Sequence, residues 1–495
     1  MMMLSQAAQA TGGKLVGADV QFTAVSTDSR KLAQGELFIA LRGERFDGYE
    51  FISQAAQSGA AAVMVNADSY KEHHPVLSPQ SSVLVVPDTR LALGQLAAYW
   101  RKQFTIPLIA ITGSNGKTTV KEMLASILRE AAGSAEAVLA TQGNLNNDIG
   151  VPLTLLRMNA AHRYAVIEMG MNHSGEIDYL TRIAAPDVAL VNNASGAHLE
   201  GLGSVHAIAL AKGEIFAGLK QAGTAVINAD DEYASLWRGL AGSHPVLTFG
   251  LDQPADVLGK WQAVGFGLQL DAQTPQGNFK AMMQTPGAHN ARNALAATAV
   301  AITLNIPLEK IVSGLKKFGG VAGRMQRKVA LHGASLIDDT YNANPASLRA
   351  AISVLAQAKG KHILVLGDMG ELGTDAARFH AEIGAAARSE GIEKLYALGT
   401  LSSHSAREFG SGARHFERIE DLQNELEKEL DANTTVLVKG SRFMKMERIV
   451  QHLETSVGRK SVAPSDVCES PITVADNAHT SDNAALIRPT AISRG

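Results

Sequence analysis

The chain has 495 residues, and at about 150 residues per domain this length favours roughly three domains. Lys and Arg number 45 and Asp and Glu 48, a net charge of −3 that excludes binding to nucleic acid through a broadly basic face. The single cysteine, Cys468, excludes a disulfide framework and a multi-cysteine metal site. Because neither a membrane-spanning apolar run nor a secretory signal is visible, we expect a cytoplasmic protein with no membrane span and no nucleic-acid partner.

The first part of the chain mixes short apolar runs with one helical pattern. The runs predict strands at 37–41, 61–65 and 83–86, and a helix at 49–58 ends at Gly59. Pro87 and Asp88 interrupt the pattern after the third strand. Residues 1–86 are therefore predicted to form a small mixed α/β N-terminal domain.

The middle of the chain alternates continuous apolar strands with helices. Helices are predicted at 91–103, from the end of the 113–119 loop to about 129, and at 291–304, with strands at 108–112, 164–168, 188–192 and 224–228. Strands that are apolar throughout are typical of a parallel sheet covered on both faces. Residues 87–318 are predicted to form this central domain, and the pair Gly319-Gly320 predicts a hinge after it.

The third part alternates even more regularly. Strands are predicted at 335–338, 362–366, 395–398 and 435–438, and the helix at 375–390 places Phe379, Ile383 and Ala387 on one stripe. We therefore predict a doubly wound, Rossmann-like C-terminal domain over residues 319–455. Residues 456–495 lose this periodicity and contain no aromatic residue, so they are predicted to be a disordered tail.

The strongest local motif lies between an apolar strand and a helix, and its residues are Gly113, Ser114, Asn115, Gly116, Lys117, Thr118 and Thr119. Glycines let backbone N–H groups turn towards phosphate oxygens, the helix start adds positive charge, and a threonine hydroxyl can bind Mg²⁺. The motif is shorter than the common phosphate-binding loop because position 111 is Ile, which disfavours GTPases and motor-type ATPases. We therefore predict a nucleotide site in preference to the alternative, a glycine-rich turn with a solvated lysine.

Further polar residues follow the ends of strands, where open α/β sheets bind their ligands. Glu168 ends a strand and could hold Mg²⁺, although a solvated carboxylate is the alternative. His198 and Lys212, taken alone, are more typical of a loop histidine and a surface lysine.

Two further pairs lie later in the chain. Asn290 and Asn293 lie one helical turn apart and could address one ligand, or could cap the helix and face solvent. Arg324 and Asp339 could close over a nucleotide, or could form an interdomain salt bridge at a turn.

Taken in order, these motifs resemble those of the Mur ligases. The matching stretches are T-G-S-N-G-K-T-T (112–119), V-I-E-M-G (166–170), A-K-G-E-I (211–215), H-N-A-R-N-A-L-A-A (289–297), G-R-M (323–325) and D-D-T-Y-N-A-N-P-A-S (338–347). The stretches at 142–152, 365–373 and 439–442 resemble the branch of the family that adds a dipeptide. The resemblance covers residues 1–454. It implies ATP-dependent amide formation in peptidoglycan precursor synthesis, with UDP-N-acetylmuramoyl-tripeptide and D-alanyl-D-alanine as substrates and a monomeric enzyme.

The resemblance also implies roles for individual residues. Lys117 and the loop amides would hold the β- and γ-phosphates of ATP, with Thr118 on Mg²⁺. Glu168 and His198 would help to place a second Mg²⁺, and Lys212 matches a lysine that family members often carry as an N-carbamate. The nucleotide contacts implied are Asn290, Asn293, Arg324 and Asp339. Substrate-binding residues implied are Ser26, Thr27, Asp28, Ser29 and Arg30 for the UDP end, Asn144, Asn146 and Asn147, and Asp368, Lys439 and Arg442 on the side of the dipeptide.

Several alternatives stay open at this stage. A sister ligase that adds meso-diaminopimelate or lysine, or a folylpolyglutamate synthase, would share the ATP residues. A nucleotide-gated binding protein would not need the set of Glu168, His198 and Lys212. A phosphotransferase that stops at a phosphorylated product would turn over ATP without an amine acceptor.

Overall fold

The computed structural model describes residues 1–43, 47–73, 82–196 and 199–459. His198 and residues 460–495 therefore lie outside the described residues. In the described ranges no helix combines the length and the apolar character that crossing a lipid bilayer requires.

Over its described residues the N-terminal part has a two-stranded sheet of β1 and β3, a larger main sheet and three helices. Its elements are β1 (Met2–Met3), α1 (Leu4–Thr11), β2 (Lys14–Val16), β3 (Gln21–Phe22), β4 (Val25–Ser26), β5 (Leu37–Ile39), α2 (Ile52–Gln57), β6 (Ala62–Asn66), α3 (Ala67–His73) and β7 (Ser82–Val86). Within the described residues the main sheet has the order β2-β7-β6-β5-β4, and only β2 runs antiparallel to its neighbour. The three predicted strands are confirmed, and the predicted helix begins as a 3₁₀ turn at Gly48–Phe51.

The central part is built on one large sheet. Its elements are α4 (Thr89–Arg101), β8 (Leu108–Thr112), α5 (Lys117–Ala132), β9 (Val138–Ala140), α6 (Gly150–Leu155), β10 (Tyr164–Glu168), α7 (Glu176–Ala184), β11 (Val188–Val191), α8 (Leu199–Leu202), α9 (Val205–Gly213), β12 (Thr224–Asn228), α10 (Ala234–Leu240), β13 (Val246–Gly250), β14 (Val257–Val264), β15 (Gly267–Thr274), β16 (Gly277–Met283), α11 (Ala288–Thr303) and α12 (Leu308–Lys317). The order across the described strands is β16-β15-β14-β13-β12-β11-β8-β10-β9.

The central sheet is parallel from β9 to β14, as predicted, but it ends in an antiparallel meander of β14, β15 and β16. The sequence analysis assigned no element to this meander. On β15 the side chains of Leu268, Leu270 and Ala272 alternate inward and pack in the same buried cluster as Leu295 of α11. The predicted parallel sheet is therefore extended at this edge by antiparallel strands with one solvated face, which replace strands buried on both faces.

The C-terminal part repeats the layered α/β plan. Its elements are β17 (Gln326–Val329), β18 (Ser335–Asp339), α13 (Pro345–Ala356), β19 (Lys361–Gly367), α14 (Ala376–Ser389), β20 (Lys394–Leu398), α15 (Ser402–Phe409), β21 (Ala413–Phe416), α16 (Ile419–Glu427), β22 (Thr434–Lys439) and α17 (Glu447–Arg459). Its described strands are ordered β17-β18-β22-β19-β20-β21, and only β17 is antiparallel. The last helix continues to Arg459, past position 456 where the tail is predicted to begin.

The connectivity of the central sheet places one group of loops together. Strand β8 lies between β10 and β11 and is parallel to both, and all five of its residues are buried. The loops that follow these strands therefore leave the same edge of the sheet, where open α/β sheets form a crevice. The candidate site lies at this edge.

Candidate active site

A cavity of about 1470 Å³ lies at the carboxyl ends of β8, β10 and β11. Both the central and the C-terminal part of the chain line it. Its lining includes the predicted site residues Ser114, Asn115, Gly116, Lys117, Thr118, Thr119, Asn144, Asn146, Asn147, Glu168, Asn290, Asn293, Arg324, Asp339, Lys439 and Arg442. Residues more than 300 positions apart in the sequence are thus brought to one cavity.

The predicted phosphate loop joins β8 to α5, as its flanking patterns indicate. Gly116 has a φ of +79°, in the left-handed region that favours glycine. A Cβ atom at this position would overlap Asn293 Oδ1 and would lie 2.5 Å from Asn192 Nδ2. Glycine is required here by both backbone conformation and space.

Substituting Gly116 by alanine is expected to weaken ADP binding about 10-fold, because the new methyl group pushes Asn293 away from the loop. Isothermal titration calorimetry measures this. Gly133→Ala is the matched control, since Gly133 ends α5 with a φ of +72° and has no atom within 4 Å of the added Cβ. If both variants lose ADP affinity equally, the effect comes from backbone strain alone and not from the displaced Asn293 side chain.

Lys117 is the first residue of α5, and its ammonium folds back over the loop. Its Nζ atom donates to the carbonyl oxygen of Gly113 at 2.6 Å. Burial lowers the pKa of Lys117, and the neighbouring carboxylate of Glu168 opposes that shift. A bound anion would give this partly buried cation a stronger partner than a carbonyl oxygen.

The carboxylate of Glu168 lies beside the first turn of α5. Thr118 Oγ1 donates to Glu168 Oε2 at 2.9 Å, and Asn146 Nδ2 donates to Glu168 Oε1 at 2.8 Å. Glu168 is only 2% exposed. One hydroxyl and one carboxylate beside a phosphate loop fit the way in which proteins hold Mg²⁺, which keeps several waters and binds substrate phosphates. No group of three or more His, Cys, Asp or Glu suited to a metal occurs among the described residues, and this donor set does not need one.

Lys212 lies in the last turn of α9 and is 1% exposed. Within the described part of the chain its ammonium has no hydrogen-bonding or ion-pair partner, and Lys212 does not line the cavity. Burial, with a smaller contribution from the positive charge of Lys117, holds the pKa of Lys212 well below its usual range. The surface-lysine alternative is therefore wrong. His198, which the resemblance pairs with Glu168 at a second Mg²⁺, lies outside the described residues.

Asn290 and Asn293 are both buried in the first turns of α11. Asn290 Nδ2 donates to the carbonyl oxygen of Pro286 at 2.8 Å, and Asn293 Oδ1 accepts from Asn192 Nδ2 at 3.0 Å. The alternative of a solvated polar face is therefore wrong. The amides of this helix are joined to the strand end that flanks the phosphate loop.

Arg324 reaches the central part of the chain from the C-terminal part. Its Nη2 atom donates to Thr118 Oγ1 at 3.0 Å, and its guanidinium lies 4.1 Å from the centroid of the Tyr341 ring. Its Nε atom is buried and has no partner among the residues that the structure describes. This arginine is held against the start of α5, where phosphates would lie.

Asp339 and Lys439 form a buried ion pair on the C-terminal side of the cavity. Lys439 Nζ donates to Asp339 Oδ2 at 2.6 Å and to the carbonyl oxygen of Asn342 at 2.9 Å. Asp339 Oδ1 accepts from the N–H of Met325 at 3.1 Å. Asp339 therefore fixes the segment that carries Arg324. The ion pair of Asp339 is not interdomain, because Lys439 belongs to the same C-terminal sheet.

Other predicted substrate residues lie elsewhere. Asp28 pairs with Arg30 at 2.8 Å, and the hydroxyl of Ser29 donates to Gln54; the whole 26–30 segment is outside the cavity lining. The carboxylate of Asp368 accepts from the N–H groups of Leu401 and Ser402 at the start of α15 and does not line the cavity. Arg442 lines the cavity and pairs with Glu447 at 3.0 Å.

The structure adds cavity residues that the sequence analysis did not single out. Asn192, Asn193 and Asn344 contact the phosphate loop, and His289 lines the cavity within the electrostatic influence of Asp339, Lys439 and Arg292. Burial lowers the pKa of His289 to about 4, so this imidazole is neutral at pH 7. For Asn192 and Asn193 the one available signal was their place directly after a central parallel strand.

Comparison with known proteins places the chain beside one family along most of its length. Residues 21–101 match the model described as Mur ligase family, catalytic domain, residues 111–301 the Mur ligase middle domain, and residues 323–442 the Mur ligase, glutamate ligase domain. The UDP-N-acetylmuramoyl-tripeptide–D-alanyl-D-alanine ligase of Escherichia coli K12 is 41% identical, over 91% of this chain and 98% of that protein. The ligase of the same name from Bacillus subtilis is 36% identical, over 87% and 92%.

Solved structures give the same result. A crystal structure of MurF from Acinetobacter baumannii has a TM-score of 0.83 and 37% identity, covering 91% of this chain and 98% of that one. The MurF ligase of Thermotoga maritima in complex with ADP has a TM-score of 0.78 and 26% identity, covering 89% and 99%. The three-part α/β architecture is therefore shared with these enzymes.

Proposed function

The chain belongs to the Mur ligase family, and on this premise we propose that it joins D-alanyl-D-alanine to UDP-N-acetylmuramoyl-tripeptide at the expense of ATP. The products are ADP, phosphate and the UDP-linked pentapeptide of peptidoglycan synthesis. The match to relatives that carry this name spans 98% of the length of each relative. We propose a cytoplasmic, monomeric enzyme whose domains span residues 1–86, 87–318 and 319–455.

The observation that carries the proposal is the convergence of Lys117, Thr118, Glu168 and Arg324 on one cavity. Two cations, one hydroxyl and one carboxylate surround the start of α5, where the N-terminal end of a helix favours phosphate. The ADP complex of the Thermotoga maritima relative supports ATP as the nucleotide. An arginine from the C-terminal part completes the site, which supports a reaction that needs both parts of the chain.

The chemistry requires two steps. A peptide carboxylate is a poor electrophile, so its oxygen first attacks the γ-phosphorus of ATP, which releases ADP and forms an acyl phosphate. The free amine of D-alanyl-D-alanine then attacks the acyl carbon, and the tetrahedral intermediate expels phosphate and loses the extra amine proton, which leaves an amide. Both steps concentrate negative charge, which Lys117 and Arg324 offset.

Thr118 would hold one Mg²⁺ at the phosphates, and Glu168 with His198 would help to place a second. Lys212, carried as an N-carbamate, would orient the metal as an anion. When bound, the metal supplies charge neutralisation and polarises phosphoryl oxygens. Asn146 keeps the Glu168 carboxylate oriented towards Thr118. Asn290 and Asn293 would contact the nucleotide from α11. No serine or cysteine nucleophile is required, because the activated intermediate is the substrate's own acyl phosphate.

The remaining substrate contacts are proposed by position. Ser26 to Arg30 would bind the UDP end, and Asn144 and Asn147 would line the path of the peptide. Lys439 and Arg442 lie on the C-terminal side of the cavity, where the dipeptide would enter. Asp368 holds the start of α15, and its carbonyl oxygen accepts a hydrogen bond from the N–H of Ser441. Through this backbone contact Asp368 would act on the dipeptide site.

Phosphate release from ATP and Mg²⁺ tests the proposal. The assay contains UDP-N-acetylmuramoyl-tripeptide, with and without D-alanyl-D-alanine. Sustained release only with both, and a UDP-pentapeptide identified by mass, is expected. Release that depends on a free amino acid instead would make the protein a sister ligase. Phosphate release without any amine would indicate a phosphotransferase. No phosphate release with any of the amines would refute a ligase.

Replacing Arg324 by lysine is expected to lower kcat about 10-fold although the positive charge is kept, because an ammonium cannot reproduce the planar donor set. Tyr341→Leu is the matched variant: it removes the stacking ring and leaves the guanidinium, so a smaller loss is expected. Steady-state phosphate release measures both. A fully active Arg324→Lys would mean that only charge matters at this position.

A further inference from the structure

The segment that follows β11 runs alongside the phosphate loop and binds its backbone. The carbonyl oxygen of Asn193 accepts from the N–H of Ser114 at 2.9 Å, and Asn193 Oδ1 accepts from the N–H of Asn115 at 2.8 Å. The hydroxyl of Ser114 and the backbone of Ser195 add two further bonds between the same segments. The amides of Ser114 and Asn115 are therefore committed to protein acceptors.

The side chain of Asn192 adds to this contact. Asn192 Nδ2 donates to the carbonyl oxygen of Asn115 at 2.9 Å and to Asn293 Oδ1 at 3.0 Å, while Asn193 Nδ2 donates to the same Asn115 carbonyl at 3.0 Å. A carbonyl oxygen cannot donate, so the orientation of the Asn192 amide is determined. It leaves Asn192 Oδ1 buried and, among the described residues, without a partner.

The amides that follow in the chain have no such partners. Within the described part of the chain, the N–H groups of Gly116, Lys117, Thr118 and Thr119 have no protein acceptor. They lie at the start of α5, where a helix leaves its first N–H groups open. Residues 116–119 all line the cavity.

We propose that Asn192 and Asn193 are positioning residues of the ATP site, which turn the amides of Ser114 and Asn115 away from the nucleotide. The phosphates are then held by the N–H groups of residues 116–119. This inference rests on the proposed function and divides the predicted phosphate loop into a scaffold half and a binding half. Asn192 also joins the loop to α11 through its bond to Asn293.

Two aspartate variants test the positioning role, because they add the same charge at adjacent positions. N193D keeps the acceptor for the N–H of Asn115 and loses one donor. N192D loses both donors, to Asn115 and to Asn293. We expect the KM for ATP to rise about 10-fold more in N192D than in N193D, with KM for D-alanyl-D-alanine unchanged. Equal rises, or a parallel rise in both KM values, would overturn the positioning role.

A second measurement addresses the amides directly. ADP is added to full-length protein labelled with ¹⁵N at threonine, serine and asparagine, and backbone amide shifts are followed by NMR. The amides of Thr118 and Thr119 are expected to shift strongly, and those of Ser114 and Asn115 weakly. Comparable shifts at Asn115 would overturn the division of the loop.

These measurements separate the two proposals. ADP binding needs no dipeptide, so the shift pattern can hold even if ligase turnover is absent, and this would support the inference while refuting the ligase. Turnover accompanied by strong shifts at Ser114 and Asn115 would refute the inference alone.

Discussion

Lys117→Met is expected to lower kcat about 10³-fold, the largest effect of any single substitution at the site. The ammonium is the one lysine charge on the phosphate loop, and it lies at the start of α5 beside Thr118 and Glu168. In the substrate-free protein it bonds only loop carbonyls, so its interaction with phosphate oxygens gains strength as charge develops in the transition state. Methionine keeps a similar length and tolerates the partly buried position. Phosphate release under saturating substrates measures the loss.

Lys102→Met is the matched control for this substitution. Lys102 is exposed at the end of α4 and lies outside the cavity lining, so its loss should leave kcat unchanged. The midpoint of thermal unfolding should be similar in the two variants, because removing a lysine whose pKa is lowered by burial costs the folded state little. A Lys117→Met enzyme with more than about a tenth of wild-type kcat would show that Arg324 alone can offset the phosphoryl charge.

The parallel core of the fold could be predicted from the sequence because its strands are buried on both faces. β8, β10 and β12 follow the predicted bounds, and each is a nearly continuous apolar run. The meander of β14 to β16 escaped prediction since only one face of each strand packs against the helices α11 and α12. Its period-two pattern on β15 was present in the sequence, but on β16 the apolar Met282 lies at an exposed position and obscures it.

Much of the candidate site could also be predicted, because the phosphate loop is a local pattern. Contacts between distant segments could not be derived from spacing: Arg324 meets Thr118 across 206 positions, and only the packing of two sheets brings them together. Asn192 and Asn193 were missed for a related reason. An asparagine after a strand is common in loops, and its amide acquires a role only when a neighbouring strand places the phosphate loop beside it.

Lys212→Ala is expected to lower kcat at least about 10²-fold, although the side chain does not line the cavity. A lysine that is 1% exposed and has no described partner is unfavourable as a cation, and burial lowers its pKa well below the usual range. The amine is therefore more often neutral than that of an ordinary lysine, and the neutral amine is the form that adds CO₂ and releases a proton to give a carbamate. That anion would lie near Lys117 and could orient metal-bound water. Acidification favours the ammonium and should reduce activity reversibly.

Small carboxylates distinguish this role from a packing role. Formate or acetate should partly restore turnover to Lys212→Ala, because either anion fits the space of the lost carbamate. Neither should restore Lys212→Met, whose side chain fills that space, so the two variants control for each other. Both should be folded, since removing a buried amine with no described partner costs the folded state little. Equal activity of Lys212→Met and the wild type would refute a carbamate at this position, because methionine supports packing but cannot carry charge.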